Sequence, residues 1–144
     1  MKTQLLIILS ASLLAIASPV RAENPSHVKQ LLSTGECTKC DLSNANLQEA
    51  HLIGADLRAA NLQGANLLGA NLEGADLTDA NLEGANLTAA YLTNASFNDA
   101  DLDRVNLTAA TIIDADVSGA SMVGLDLTNA TIYHTGIGIG GGDE

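Results

Sequence analysis

Ala45-Asn46-Leu47-Gln48-Glu49-Ala50-His51-Leu52-Ile53-Gly54-Ala55-Asp56-Leu57-Arg58-Ala59 is three turns of one pattern, Ala-Asn/Asp/His-Leu followed by two variable residues. The pattern runs without slipping from Cys40 to His134. Nineteen pentads place their central residue at 42, 47, 52 and onward to 132, and fourteen of those centres are Leu; the others are Phe97, Ile112, Val117, Met122 and Ile132. Two residues before the centre stands Ala in sixteen of nineteen pentads, the exceptions being Cys40, Val105 and Leu125. A period of five fits neither the 3.6 of a helix nor the 2 of a strand, so the chain is read as a repeat architecture with one large and one small inward column. Both columns can be buried only if the chain turns a corner after every pentad.

These residues carry a resemblance. The stretches Ala45-Asn46-Leu47, Ala55-Asp56-Leu57, Ala65-Asn66-Leu67, Ala75-Asp76-Leu77 and Ala85-Asn86-Leu87 resemble the A-[DN]-L-x-x consensus of pentapeptide-repeat proteins, over about two thirds of the chain. The resemblance implies an all-β solenoid, a right-handed four-sided β-helix with twenty residues per coil. Nineteen pentads would then make about 4.75 coils, roughly 23 Å long at the ~4.8 Å strand spacing. Stability in such a stack is a sum of neighbouring contacts, and the two ends need caps. Pro25 to Leu32 offers an N-terminal capping helix, with Ser26 as N-cap, an apolar face of Val28, Leu31 and Leu32, and Gly35 as terminator. Residues 23–39 are thus expected to form the cap, 40–134 the β-helix, and 135–144 a flexible, Gly-rich acidic tail.

Residues 1–22 have the layout of a signal peptide: Lys2, an apolar stretch from Leu5 to Ile16, Pro19, and the small residues Val20 and Ala22. Cleavage after Ala22 would leave Lys29, Lys39, Arg58 and Arg104 against seventeen acidic residues, a net charge of 4 − 17 = −13. That sign opposes binding to nucleic acid phosphates or to an anionic membrane. Export also bears on the two cysteines, Cys37 and Cys40, because disulfides persist outside the cytosol. A zinc site lacks further ligands and a redox-active pair lacks its βαβ setting, so a structural disulfide joining the cap to the first coil is expected.

Counting by twenty assigns the outward residues to four sides. The side of 47, 67, 87 and 107 carries Asn46, Asn66, Asn86 and Asn106, read as a structural amide ladder. Its Thr88, Thr108 and Thr128 column begins with Gln48 and Leu68 and is too short for an ice-binding array. The side of 57, 77, 97 and 117 is acidic, with Asp56 stacking on Asp76 and Asp79 on Asp99, weak candidates for a divalent cation that would want six to eight oxygens. The side of 52, 72, 92, 112 and 132 gathers Ile53, Tyr91, Ile113 and Tyr133, candidates for a protein contact. Val105 with Leu125, and Phe97 with Val117, fall twenty apart and are read as paired packing changes, not as a ligand pocket. Gly64, Gly74 and Gly84 fall at corners. No nucleophile has a base at supporting spacing; His51 and His134 lie some four coils apart and His27 belongs to the cap.

The sequence therefore points to a non-catalytic, exported solenoid of the periplasm or thylakoid lumen. It needs no cofactor, meets another protein as a monomeric module, and has no nucleic acid or membrane partner. An inert or cation-binding shaft is the alternative. A third reading, mimicry of DNA as in gyrase-protecting relatives, suits the acidity but not the export signal or the glycine tail.

Overall fold

The computed structural model describes residues 23–137, so the leader expected at 1–22 and the tail beyond Ile137 lie outside the described residues. The chain enters through helix α1, Pro25–Thr34. Its N-cap is Asn24, whose extended backbone (φ −90°, ψ 101°) lets Oδ1 accept from the amides of Ser26 (3.2 Å) and His27 (3.4 Å). Ser26, expected as the cap, lies inside the helix. Pro25 explains the shift: its fixed φ and missing N–H suit the first helical position, which moves the cap back to residue 24. Gly35 ends the helix in the left-handed conformation (φ 73°) and donates to the Leu31 carbonyl at 2.8 Å.

Leu31 of α1 is buried and Val28 packs against the core, but Leu32, expected on the same face, is 56% exposed. The end of a narrow shaft accepts one leucine and the edge of a valine, and no third side chain. Two further contacts hold the cap to the stack. The Asp41 amide donates to His27 Nδ1 at 2.9 Å, and Cys37 Sγ lies 3.4 Å from the His27 carbonyl oxygen. Cys37 and Cys40 are joined by a disulfide, with both residues buried in the large and small columns. Among the described residues no helix is long and apolar enough to cross a membrane.

Above the cap, residues twenty apart pair in parallel, from Glu36↔Asp56 through Asn106↔Asp126. The last two coils pair over three residues, strand β1 (Thr111–Ile113) on strand β2 (Thr131–Tyr133). The ladder thus begins at Glu36, one pentad before the first Ala-like position read in the sequence. Each centre donates up to the next coil, as Leu57 N does to Asp76 O (2.8 Å), and the residue before it donates down, as Asp56 N does to Gly35 O (2.8 Å). Between centres the chain closes a tight turn, as from Ala60 N to Leu57 O at 3.0 Å. The third residue of that turn has positive φ, which glycine meets freely at Gly64 (66°) and which Ala59 (53°) and Asp79 (60°) also adopt. Four such corners occupy every twenty residues, so every inward position lies under its equivalent in the next coil.

Every inward residue from Cys37 to Val117 is buried. From Ala120 onward the inward side chains, Met122, Leu125, Leu127 and Ile132 among them, are only half-buried. Ile137, placed in the tail by the sequence reading, is instead buried, and lines the same small cavity as Val117. Phe97, Val105, Val117 and Ile137 border a cavity of about 10 Å³. That is about what one water needs, so the column substitutions change packing and leave no ligand pocket.

Candidate functional site: the four outward columns

On the acidic side Asp56 pairs with Asp76 as the register requires. Arg58 sits between them: Nη2 and Nε lie 2.6 and 2.9 Å from the two Asp56 oxygens, and Nε lies 3.8 Å from Asp76 Oδ2. Hydrogen bonding to the guanidinium holds the Asp56 carboxyl far below the usual carboxylate range and pushes Arg58 up in return. The charge that a cation would neutralise is already met by the protein. Asp79 and Asp99 stand at corners one coil apart, each with positive φ, and the Asp99 carboxylate fills the space where a Cβ on residue 119 would stand, which Gly119 leaves open. Among the described residues no three His, Cys, Asp or Glu side chains converge to hold a metal.

Other acidic contacts were not legible from columns alone. Asp103 accepts from Ser121 Oγ at 2.5 Å and Val123 N at 2.9 Å, bonds that lower its pKa. Asp116 is lowered by Ser118, and Asp126 by Thr128, each through hydroxyl and amide donors two residues on. The side chain of Arg104 pairs with Glu83, which also accepts from Gln63 (2.7 Å). A depressed folded-state pKa contributes stability above the unfolded value, near 3.9, and that contribution disappears as pH falls through the folded value. The thermal midpoint should therefore be flat above about pH 5 and fall below about pH 4. A midpoint unchanged down to pH 2 would show that these bonds do not favour the ionised forms.

The amide ladder is structural. Asn66 Nδ2 donates to Asn46 Oδ1, and Asn86 Nδ2 to Asn66 Oδ1, both at 3.4 Å. Each Oδ1 also accepts the amide two residues on, at 3.3 Å from Gln48 and 3.2 Å from Leu68. These are Asx turns, in which the side chain satisfies backbone donors at the corner. Thr88 Oγ1 donates to Asn86 Oδ1 (2.6 Å) and Thr128 Oγ1 to Asp126 Oδ1 (2.7 Å), so these hydroxyls serve their own turns and do not form an outward array.

The apolar side divides into two columns. Ile113 stacks in register on Tyr133, while Tyr91 pairs with Thr111 in the column before the centres. Ile53 shares the Ile113 column but is separated from it by Glu73 and Thr93. Ile53 (64%), Tyr91 (49%) and Tyr133 (59%) are exposed and Ile113 is half-buried. Tyr91, Ile113 and Tyr133 therefore form one patch over three coils, and Ile53 stands apart. Tyr133 rests against the ring of His134 (centroids 3.8 Å apart), whose Nδ1 lies 3.2 Å from Asp114 Oδ1. Val123 (69%), on another side, is an exposed apolar residue that the column reading passed over.

The model of pentapeptide repeats matches residues 40–79 and 70–108, in eight copies. The chain matches none of the curated proteins. Among solved structures it resembles a pentapeptide repeat protein from the thylakoid lumen of Arabidopsis thaliana, with 37% identity and a TM-score of 0.63 over 70% of this chain and 68% of that one. It also resembles a pentapeptide repeat protein from Nostoc PCC 7120, with 30% identity and a TM-score of 0.57 over 76% of this chain and 95% of that one. Sequence match, twenty-residue ladder and structural likeness agree: the chain belongs to the pentapeptide-repeat family, whose solved members are right-handed quadrilateral β-helices.

Proposed function

We propose that this protein is a non-catalytic, exported contact module whose working surface is the patch of Tyr91, Ile113 and Tyr133. The observation that carries the reading is the register of β1 on β2, which sets Ile113 on Tyr133 beside the Tyr91–Thr111 pair. Tyrosines on a rigid backbone lose little freedom on binding and supply both apolar area and a hydroxyl, which suits a protein partner. Export is supported by the Lys2 to Ala22 layout and by the likeness to a thylakoid-lumen protein; the thylakoid lumen or the periplasm is the setting. An oxidising compartment would keep the Cys37–Cys40 bond formed. The Arg58 pairing weighs against the cation-binding shaft, since Asp56 is already neutralised.

The test is crosslinking in the native compartment, followed by capture of the tagged full-length chain. Wild type should retain a partner that Tyr91→Ser/Tyr133→Ser loses while its melting curve is preserved. Ile53→Ser, outside the patch, should retain it. Equal recovery from wild type and the double variant would end the proposal.

A further inference from the structure

In the body of the stack the residue before each centre donates to a carbonyl of the coil below, as Asn61 N does to Cys40 O (2.8 Å) and Asn66 N to Ala45 O (2.9 Å). The first coil has no coil beneath it, and the cap segment supplies acceptors in its place. Asp56 N reaches the Gly35 carbonyl (2.8 Å), Asn46 N the Glu23 carboxylate (Oε2, 3.1 Å) and Asp41 N the ring of His27 (Nδ1, 2.9 Å). The last contact sets a protonation state. A backbone amide only donates, so Nδ1 must present its lone pair and the proton of the neutral ring sits on Nε2. The three acceptors answer acid differently. A carbonyl does not titrate and a carboxyl group keeps oxygen lone pairs when protonated, whereas an imidazolium has no acceptor at all.

We infer that His27 makes the seat of α1 an acid-released latch, closed while the ring is neutral and loosened when the ring takes a second proton. Imidazole side chains make that change between about pH 5 and 8. The Asp41 carbonyl, 3.3 Å from Nδ1, lies within reach of an imidazolium, but a proton on Nδ1 still takes away the acceptor that Asp41 N has in the closed state. A proton that the closed cap excludes and the open cap accepts drives opening as pH falls. The charged and titratable side chains of the two elements that meet here are Glu23 and Lys29 on the cap, and Glu36, Lys39, Asp41, Glu49 and His51 on the first coil. The Asp41 carboxylate accepts from Ser43 Oγ (2.7 Å) and Asn61 Nδ2 (3.3 Å) on its own side of the shaft. Carboxyl and ammonium groups as classes titrate outside the imidazole range, and His51, which shares it, is exposed.

Leu31 is the buried residue of α1, and Cys37 Sγ lies 3.4 Å from the His27 carbonyl oxygen, so a loosened helix uncovers the first-coil core and the disulfide together. Each coil contacts its neighbours alone, so release stays local. The thermal midpoint of the stack can therefore remain flat above about pH 5 while the cap opens. The inference does not depend on the tyrosine patch.

Hydrogen exchange of the purified chain at about pH 7.5, 6.5 and 5.5, corrected for the intrinsic rate, tests it. Protection of α1 should fall about tenfold across the series, the worth of one hydrogen bond, while residues 60–110 keep theirs. His27→Asn puts an amide oxygen near the place of Nδ1, an acceptor that does not titrate, and its α1 should be equally protected at all three values. His51→Asn and Glu23→Gln should behave as wild type. Constant protection of α1 in the wild type, the same fall in His27→Asn, or a fall abolished by His51→Asn would overturn the inference. Nitrogen-15 spectra of the ring give a reading that needs no substitution: His27 should be the Nε2–H tautomer at about pH 7.5, and exchange of α1 should rise in step with protonation of that ring. An Nδ1–H tautomer at about pH 7.5 would refute the latch.

Discussion

Leu77→Ala is expected to cost about 3–5 kcal/mol, a large share of the stability of a domain this size. Leu77 is fully buried at mid-stack, with Leu57 below and Phe97 above in its column. Its neighbours cannot close the gap, because the backbone pairing of the coils fixes their spacing: Leu57 N donates to Asp76 O and Leu77 N to Ser96 O, both at 2.8 Å. Where a site cannot collapse, the lost transfer energy and the cavity both count. The same substitution at Leu127, half-buried at the exit, should cost about 1 kcal/mol, since less area returns to water. Urea unfolding of the two variants gives the comparison. Equal losses would mean that the stack does not divide its stability among neighbouring coils.

Removing the disulfide should have the second largest effect, and a local one. Cys37→Ala/Cys40→Ala deletes a four-residue loop closure, worth about 2 kcal/mol in the unfolded chain, and leaves a void where Cys37 is fully buried. Each coil contacts its neighbours alone, so the damage should stay near the entry. Hydrogen exchange should show lost protection in α1 and residues 36–42 while residues 60–110 keep theirs. The pair Cys37→Leu/Cys40→Ala, which installs the residues of a standard pentad, should recover much of the loss by refilling the column. If α1 keeps its protection in the double alanine variant, then Leu31 and the His27–Asp41 bond suffice to hold the cap.

The core was legible because each inward position repeats locally: small and large residues alternate at fixed offsets, and no long-range information is needed to see them. The Asx turns were carried in the same signal, since Asn or Asp stands before most centres and the amide it serves is always two residues on. The cap was harder to read. Two residue types favoured at N-caps stood at 24 and 26, and Pro25 decided between them; Leu32 fitted the helix period but exceeded the room at a narrow end. On the apolar side the count placed all four candidates on the right side, yet it merged two columns. Tyr91 precedes its centre, whereas Ile53, Ile113 and Tyr133 follow theirs. The role of Arg58 was within reach, because it follows Asp56 by two in the same pentad. The fall in burial from Ala120 to Ile132 had no local signal at all: the pentads continue to Ile132, and whether a column is covered depends on what lies beyond it.

The quarter-turn geometry gives this chain an unusual relation between length and direction. Each pentad supplies one side and twenty residues return to the same bearing. Inserting a single pentad below Tyr91 would leave both core columns filled but swing everything downstream by ninety degrees, turning Tyr91, Ile113 and Tyr133 to a different point of the compass relative to α1. Inserting four would restore the bearing and raise the patch by one storey, roughly 4.8 Å. Gains and losses of five residues, which would shift the register of an ordinary sheet, here act as a means of aiming a surface without touching the residues that compose it.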